Sequence, residues 1–347
     1  MATLGLAIAA VALLLSLAVA YYAMKRAARL GLVQEPTERS SHTRPTPLGG
    51  GLGVVAGGSF AGLLPAMLIP WLAVPVLMAG ILIALIGFSD DRRPIAARWR
   101  LGAQVLLTGA VVATLPLDAL GPQLGLAVPE SVLLVVVALS GALWINVFNF
   151  MDGIDGLAGT EAIFLLVGGA LLAWLAEPLV LEDLRLWWML GIAAATLGFL
   201  LLNWAPARIF MGDTGSTYLG LMIAFFGFST IASAWLSVWQ WLILGALFLA
   251  DSLTTLARRA LNREPVWEAH RRHAYQALQR RFRSHSRVTL LALAMNVLVL
   301  LPLSWLAGQL PQWGWLIALV TYAVLVPAAI RAGAGAPERE SSPLRRE

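Results

Sequence analysis

The chain of 347 residues is 59% hydrophobic and only 12% charged, whereas soluble domains carry about 25% charged residues, so a soluble globular protein is excluded. It has no cysteine, which excludes disulfides, thiolate metal sites and cysteine nucleophiles. The net charge of +5 needs no nucleic-acid partner, because basic loops held against an anionic inner leaflet account for it.

In chain order, eleven apolar runs are long enough to cross a bilayer, since a spanning helix needs about 20 apolar residues. They cover residues 2–24, 48–68, 71–89, 101–119, 130–148, 158–176, 185–203, 215–232, 236–256, 288–308 and 313–331. Prolines crowd the junction of the second and third runs, so ten spans would also fit. The pattern predicts an all-α, polytopic integral membrane protein.

The basic residues predict its orientation. If the N-terminus lies outside, all but one of the 24 Lys and Arg residues fall on the inner face, the exception being Arg185. Lys25 and Arg26 follow the first apolar run, whereas the positive charge of a signal peptide precedes it. We therefore expect a retained first helix, an inside C-terminus, a single transmembrane catalytic domain over 1–332 and a disordered cytoplasmic tail over 333–347.

The first polar motif on the predicted inner face is FSDDRRP, where Asp90 and Asp91 end the third span. Adjacent carboxylates repel each other, and a divalent cation such as Mg²⁺, which takes oxygen ligands, relieves that repulsion. The alternative is a solvated helix end in which Arg92 and Arg93 pair with the two acids. The motif alone leaves both interpretations open.

The second motif is NVFNFMDGIDGLAG, which joins two almost entirely apolar runs. Asp152 and Asp155 are three residues apart and each precedes a glycine, so the backbone can turn tightly or approach a ligand closely. Asn146 and Asn149 share that spacing and lie on one face of the helix end. A helix N-cap would explain one aspartate but not the whole set.

The third motif is NWAPARIFMGDTGS, in which Asp213 precedes a predicted helix. Free backbone N–H groups at a helix start favour an anion or a phosphate. The alternative is again an N-cap, which for Asp213 alone is the better interpretation. Close helix packing through small residues is the expected role of a further segment, GGGLGVVAGG.

The fourth motif is the basic segment REPVWEAHRRHAYQALQRR on the same face. Arg271 and Arg272 could grip phosphates, and His270 and His273 could donate hydrogen bonds or shuttle a proton. An inner-face loop of ordinary positive charge would explain the arginines but not the two histidines. Paired acids, a helix start and basic groups together suit phosphoryl transfer, and the membrane location suggests that one substrate is a lipid.

Four segments, taken in order, resemble motifs of the polyprenyl-phosphate N-acetylhexosamine-1-phosphate transferases, which form glycosyltransferase family 4. They are HTRPTPLGGG, the Asp90–Asp91 pair, NVFNFMDGIDGLAG and FMGDTGS. The resemblance covers residues 35 to 287. It implies that a sugar 1-phosphate passes from a UDP-linked N-acetylated sugar to undecaprenyl phosphate, that UMP leaves, and that Mg²⁺, or Mn²⁺ in its place, is the cofactor.

The resemblance also implies roles for residues. The catalytic residues would be Asp90, Asp91 and His273. The metal ligands would be Asp213 with Asp90 and Asp91. The nucleotide-sugar site would contain Thr46, Asn149, Asp152, Asp155, Asn203, His270, Arg271 and Arg272.

The basic segment departs from the best-known branches of the family, which carry three consecutive histidines or an HxHH pattern. Here it reads HRRHAYQ, so His273 matches the first histidine while Tyr275 and Gln276 replace later ones. This favours the branch that initiates O-antigen or related envelope polysaccharides, often from UDP-linked 6-deoxy N-acetyl sugars. The UDP-MurNAc-pentapeptide transferase of peptidoglycan synthesis is the alternative.

The resemblance implies a multi-pass protein of the bacterial inner membrane with its active site on the cytoplasmic face. The expected partners are undecaprenyl phosphate, a UDP-N-acetyl sugar and membrane lipids, with a homodimer as one allowed assembly. Either the acceptor phosphate attacks directly, oriented or deprotonated by Asp90 or Asp91, or an aspartate is phosphorylated first. A transporter would place its polar groups near the bilayer midplane, and a lipid-binding scaffold would not need Asp90, Asp91 and Asp213 together.

Overall fold

The computed structural model describes residues 1–34, 45–265 and 270–337, and these form helices with one small two-stranded sheet. The α-helices are α1 (Ala2–Leu30), α2 (Gly51–Ala61), α3 (Leu63–Leu68), α4 (Pro70–Arg92), α5 (Ala97–Val112), α6 (Leu117–Gln123), α7 (Glu130–Phe150), α8 (Leu157–Ala176), α9 (Leu184–Asn203), α10 (Gly212–Ala232), α11 (Val238–Leu244), α12 (Ala246–Leu261), α13 (Ala274–Phe282), α14 (His285–Met295), α15 (Leu301–Gln309) and α16 (Gly314–Ala332). The shorter elements are the strands β1 (Val33–Gln34) and β2 (Thr46–Pro47), the 3₁₀ helices Pro178–Glu182 and Pro311–Trp313, and a π-helix, Asn296–Leu300.

The number of spans agrees with the sequence pattern. Within the described residues, nine helical segments are long and apolar enough to cross a membrane, and two bent pairs raise the total to eleven if each pair is one span. The all-α polytopic fold is thereby confirmed. The second and third runs separate at Ile69, which leaves the helical conformation directly before Pro70, as residues preceding proline usually do.

Two predicted continuous spans are instead sharply bent. The run at 101–119 is the pair α5 and α6, bent by 104°, and the run at 236–256 is the pair α11 and α12, bent by 76°. Pro116 caps α6, and proline both lacks an N–H group and disfavours helix in the residue before it. Gly245, which lies between α11 and α12, has no Cβ to restrict its backbone, so the chain can bend there.

The core is centred on α10. In its apolar stretch 94% of residues are buried in the protein, against 17% for the peripheral α1. Helices α2, α4 and α7 pack around α10. Outer helix faces instead expose large apolar side chains, such as Met67 and Leu106, as expected of surfaces that contact lipid tails rather than water.

Glycines bring the helix ends together on one side of the core. A Cβ on Gly51 would lie 2.3 Å from the Gly215 nitrogen, and one on Gly87 would lie 2.4 Å from the Asp213 carbonyl oxygen. Because only glycine permits such approach, the glycine-rich start of α2 and the end of α4 pack directly on the start of α10. The expectation of small-residue packing for GGGLGVVAGG is confirmed.

The small sheet was not expected, because two residues per strand are too few for an alternating pattern to appear. Gln34 pairs with Thr46 and Val33 pairs with Pro47, antiparallel. The Phe210 N–H then donates to the Pro47 carbonyl at 2.8 Å, which attaches the sheet to the segment before α10.

The chain beyond α16 keeps contact with the basic segment. Ala334 is fully buried, the Gly335 N–H donates to the Arg272 carbonyl at 2.7 Å, and the Arg258 guanidinium donates to the Ala334 carbonyl. Over residues 333–337 the structure therefore differs from the disordered tail expected from Gly333. Residues 338–347 lie outside the described part.

Candidate active site

A cavity of about 670 Å³ opens where α4, α7 and α10 meet the basic segment. Most of the predicted site residues line it, namely Asp90, Asp91, Asn149, Asp152, Asp155, Asn203, Asp213, His270 and Arg271. Thr46, Arg272 and His273 do not. Four separately spaced motifs thus converge on one site, although their side chains play different parts in it.

Asp91 anchors the start of α10. Its Oδ1 accepts the Asp213 N–H at 2.7 Å, and its Oδ2 accepts the Thr214 N–H at 3.1 Å and the Thr214 hydroxyl at 2.6 Å. These N–H groups have no partner within their own helix, so Asp91 caps α10 from a neighbouring helix. Gly212 has φ +72°, and a Cβ there would lie 2.6 Å from the carboxylate. Asp91 is thus held by three hydrogen bonds, and its expected role as a metal ligand or catalytic residue stays a prediction.

Asp90 and Asp213 share one cation. Nη1 of Arg100 lies 2.6 Å from Asp90 Oδ2 and 2.9 Å from Asp213 Oδ2. The other Asp90 oxygen accepts the Ile95 N–H at 2.5 Å. Two of the three carboxylates predicted to bind a metal, Asp90 and Asp213, therefore converge, with a guanidinium nitrogen between them.

Asn149 positions Asp213 from the opposite side. Its Nδ2 donates to Asp213 Oδ1 at 3.0 Å and to the Ser216 hydroxyl at 2.8 Å. Asn146, one turn earlier, points elsewhere and donates to Gln104 Oε1 at 2.6 Å. Asn149 thus holds an acid in place, and its expected contact with a nucleotide stays a prediction.

Asp152 is the acid left available to a ligand. It lines the cavity, and within the described chain its carboxylate accepts no hydrogen bond. Burial raises its pKa well above the ordinary value, and the negative charges of Asp213, Asp91 and Asp155 raise it further. A cation arriving in the cavity would therefore stabilise the ionised form of Asp152.

Asp155 and Asn203 serve the turn itself. Asp155 Oδ2 accepts the Ala207 N–H at 3.0 Å, and its Oδ1 lies 3.1 Å from His285 Nδ1. Asn203 accepts the Gly156 N–H and donates to the Ile209 carbonyl, both at 2.9 Å. Although both residues line the cavity, these contacts tie the turn before α8 to the segment after α9 and to α14.

Asp251 of α12 holds the basic segment in position, although the sequence analysis did not assign it to the site. Its Oδ1 accepts the Ala274 N–H at 2.8 Å, and its Oδ2 accepts the Tyr275 N–H at 3.0 Å. These are the first two N–H groups of α13, so Asp251 caps that helix from its neighbour. The Tyr275 hydroxyl then donates to the Phe150 carbonyl at 3.0 Å, at the end of α7.

The two predicted histidines lie in different surroundings. His273 is buried, with Nδ1 3.3 Å from Asp251 Oδ1, and it stacks on His270 with ring centroids 4.9 Å apart. His270 is the one that lines the cavity. Burial, together with the nearby positive charges of Arg259 and Arg272, lowers the pKa of His270 to about 4. His270 is therefore neutral at physiological pH and serves as a hydrogen-bonding group rather than a cation.

Arg272 is directed away from the cavity. Its Nη1 lies 2.5 Å from Glu264 Oε2, and Glu264 also pairs with Arg259 at 3.3 Å. Arg271, by contrast, lines the cavity. Thr46 lies in the small sheet opposite Gln34, which does line the cavity.

Sequence reasoning missed two lining or pairing groups, Arg100 and His285. Both lie at the inner end of an apolar run, among other polar residues that were counted only as part of a basic segment. The position of Arg100 in the first turn of α5, directly after the Asp90 loop, was the available signal. Glu161 lies away from the cavity, where its Oε2 accepts a hydrogen bond from Asn296 Nδ2 at 2.5 Å.

Comparison with known proteins agrees with this arrangement. A model of glycosyl transferase family 4 matches residues 73–231. An undecaprenyl-phosphate alpha-N-acetylglucosaminyl 1-phosphate transferase of Yersinia pestis is 30% identical over 345 residues, covering 92% of this chain and 90% of that protein. The chain belongs to glycosyltransferase family 4.

Two further members of glycosyltransferase family 4 are similar over most of the chain. A decaprenyl-phosphate N-acetylglucosaminephosphotransferase of Mycobacterium tuberculosis is 31% identical, covering 76% of this chain and 73% of that protein. A probable undecaprenyl-phosphate N-acetylglucosaminyl 1-phosphate transferase of Bacillus subtilis is 29% identical, covering 73% and 71%. Membership makes this chain a transferase. The family match includes the acids of α4, α7 and α10 but ends before Asp251 and the basic segment.

Proposed function

We propose that this transferase moves an N-acetylhexosamine 1-phosphate from a UDP-sugar to undecaprenyl phosphate on the cytoplasmic face of the bacterial inner membrane. The products are UMP and an undecaprenyl-diphosphate sugar. The observation that carries the proposal is the meeting, at the ends of spanning helices, of the Asp90–Arg100–Asp213 cluster with the available Asp152 and the basic residues His270 and Arg271. The names of the three relatives support the same class of acceptor and sugar.

The cavity suits a nucleotide diphosphate sugar in size and in charge. At about 670 Å³ it lies within the range of ordinary small-ligand sites. Acids from α4, the turn after α7 and α10 line it together with Arg271. Arg271 can bind the diphosphate, and a cation held by the acids would neutralise the remaining charge.

A second, mostly apolar groove suits the lipid chain. Its volume is about 530 Å³, and its lining includes Trp144 of α7, Leu253 of α12 and Tyr322 of α16. Helices α7 and α12 also carry the site residues Asn149 and Asp251. Leu143 and Leu253 are 44% and 39% exposed, so the groove opens toward lipid. We assign the groove to the polyprenyl chain.

The carboxylates fit Mg²⁺ when it is completed by substrate. Within the described residues, no three His, Asp or Glu side chains form a ready-made metal site. Mg²⁺, however, commonly uses one or two carboxylates together with waters and substrate phosphates. Asp90 and Asp213 would hold it, since one nitrogen already lies within 2.9 Å of an oxygen from each. When bound, it would neutralise charge on the diphosphate.

We propose direct transfer. An acceptor phosphate oxygen forms a bond to the β-phosphorus of the UDP-sugar while the bond from that phosphorus to the UMP oxygen breaks, and UMP leaves with that electron pair. Asp91 is an unsuitable nucleophile because it already accepts three hydrogen bonds. Asp152 is the carboxylate that a two-step route would use. Labelled phosphate trapped on Asp152 without acceptor lipid would overturn the direct route.

The donor is proposed to be UDP-N-acetylglucosamine or a related UDP-N-acetyl sugar, and the product to initiate O-antigen or a related envelope polysaccharide. N-Acetylglucosamine comes first because the names of all three relatives contain it. None of those names favours the MurNAc-pentapeptide reaction.

The test is a release assay. Purified protein is incubated with undecaprenyl phosphate, Mg²⁺ and each of a panel of UDP-N-acetyl sugars, and UMP is measured. UMP that requires both protein and acceptor lipid is expected with at least one donor. Absence of UMP with every donor would contradict the proposed function.

A further inference from the structure

We infer that Arg100 is a movable counter-ion, which pairs with Asp90 and Asp213 while no metal is bound and turns to the acceptor phosphate when a divalent cation takes its place. The metal and acceptor in this inference rest on the proposed function. The contact itself is a direct observation, since a single nitrogen, Nη1, serves both acids.

The geometry of Arg100 is that of a group held loosely. A guanidinium binds carboxylates best as a fork, through two parallel N–H groups. Here one nitrogen contacts both acids, while the buried Nε has no hydrogen-bond partner within the described part of the chain. A buried donor without a partner is unfavourable, so this pairing leaves Arg100 less than fully satisfied.

The Arg100 side chain is also more exposed to solvent than the two carboxylates with which it pairs. The Arg100 side chain is 36% exposed, whereas those of Asp90 and Asp213 are 12% and 27% exposed. Arg100 can therefore move into solvent without leaving its own charge buried and unpaired. The two partly buried carboxylates, by contrast, repel each other unless a cation lies beside them. A divalent ion supplies that cation and releases Arg100.

The surroundings of Arg100 favour an anion. It lies in the first turn of α5, and the N-cap residue of this helix, Ala96, offers no side chain to the free N–H groups. A cation at a helix start is disfavoured by the helix dipole, whereas a phosphate there is favoured. Bound to a phosphate, Arg100 would change an unfavourable position into a favourable one.

The test compares metal binding with and without Arg100, in the absence of both substrates. Mn²⁺ is titrated into purified protein, and free Mn²⁺ is counted by electron paramagnetic resonance. Arg100→Gln should bind Mn²⁺ about three- to fivefold more tightly than the wild type, because a partly exposed competing ion pair has been removed. Asp213→Asn should bind more weakly than the wild type.

The matched control is Arg98→Gln, which removes the same charge from the same helix turn. The Arg98 guanidinium lies over the Trp99 ring rather than on the acids, so its loss should leave Mn²⁺ affinity within about twofold. Equal tightening in both variants, or no tightening in Arg100→Gln, would overturn the inference. The melting temperature of each variant establishes that it is folded, and Arg100→Lys supplies a second folded variant with intermediate affinity.

The proposed contact between Arg100 and the acceptor phosphate is tested separately, by steady-state kinetics. At saturating Mg²⁺, Arg100→Gln should raise the KM for undecaprenyl phosphate roughly tenfold and leave the KM for the UDP-sugar unchanged. An equal rise in both KM values would instead indicate a structural role. If the wild type released no UMP with any donor, the proposed function would fail, while the Mn²⁺ titration would still test the position of Arg100.

Discussion

The two sides of the cavity share one feature, an aspartate on one helix that caps the start of another. We call the side with Asp90, Asp91 and Asp213 the acidic wall, and the side with His270 and Arg271 the basic wall. On the acidic wall, Asp91 of α4 holds the first N–H groups of α10. On the basic wall, Asp251 of α12 holds those of α13. Helix α10 begins beside Asp213, which is proposed to hold the metal, and the first turn of α13 carries Gln276, which lines the cavity.

The walls differ in what supports the capped helix. Helix α10 is 21 residues long and buried through the core, so its start is fixed by packing as well as by Asp91. Helix α13 has nine residues and lies outside the spans, so it depends far more on Asp251. The acidic wall is therefore a rigid part of the fold, whereas the basic wall depends on a few polar contacts.

The largest expected effect tests the acidic wall. Asp213→Asn should lower kcat by about 100-fold or more, the scale expected when a group directed at developing charge is removed. Because α10 is held by packing, the melting temperature should change little. UMP release and thermal unfolding measure the two quantities, with the exposed Asp118→Asn as a control of equal chemistry. A folded Asp213→Asn variant with wild-type kcat would remove Asp213 from the site.

The basic wall should respond in the opposite pattern. Asp251→Ala leaves two buried N–H groups without partners and should lower the free energy of unfolding by about 1–3 kcal/mol. It should also raise the donor KM roughly tenfold, because α13 and Tyr275 lose their position. Asp251→Asn, which retains one acceptor oxygen, should recover part of both. Unchanged donor KM in a destabilised Asp251→Ala variant would mean that the cap serves stability alone.

The raised pKa of Asp152 can be tested through the pH dependence of the melting temperature. Its pKa is raised in the folded protein, so the stability associated with its neutral form is present at low pH and is lost as pH rises through the folded-state pKa. Asp152→Asn should therefore melt about 2 °C higher than the wild type at pH 8 without divalent cations. The difference should vanish near pH 4. A variant that melts lower than the wild type at pH 8 would contradict the assignment.

The smallest effect separates two adjacent arginines. Arg272→Gln should leave the donor KM unchanged, because Arg272 pairs with Glu264 outside the cavity. Arg271→Gln should raise the donor KM about three- to tenfold, since Arg271 lines the cavity. The two variants remove equal charge, so each is the control for the other, and reversed results would place Arg272 in the site.

The sequence predicted which segments meet, but not which of two adjacent residues contacts a given partner. Consecutive helical residues point about 100° apart, so adjacent acids face different partners. Asp90 pairs with Arg100, while Asp91 caps α10. Nothing in FSDDRRP distinguishes them, because the partner N–H groups belong to a helix more than a hundred residues later.

The basic segment shows the same limit. His270 and His273 are equally good candidates by residue type, but His273 is buried beside Asp251 whereas His270 lines the cavity. The apolar runs, by contrast, were predicted well, since hydrophobicity acts over whole helices. Their bends were missed because Pro116 and Gly245 are compatible with straight membrane helices when neighbours permit.

The contacts beyond α16 bear on how the enzyme is made. Because Ala334 and Gly335 hold the Arg258 side chain and the Arg272 carbonyl, the basic wall is complete only after the last helix has been inserted into the membrane. The contacts of Asp213 with Asp91, Asn149 and Arg100 need nothing later in the chain than α10, whereas the contact of Asp155 with His285 needs α14. During synthesis, then, the acids come together first and the site matures at the final step, so a chain released before α16 would have an acidic wall without its completed opposite side.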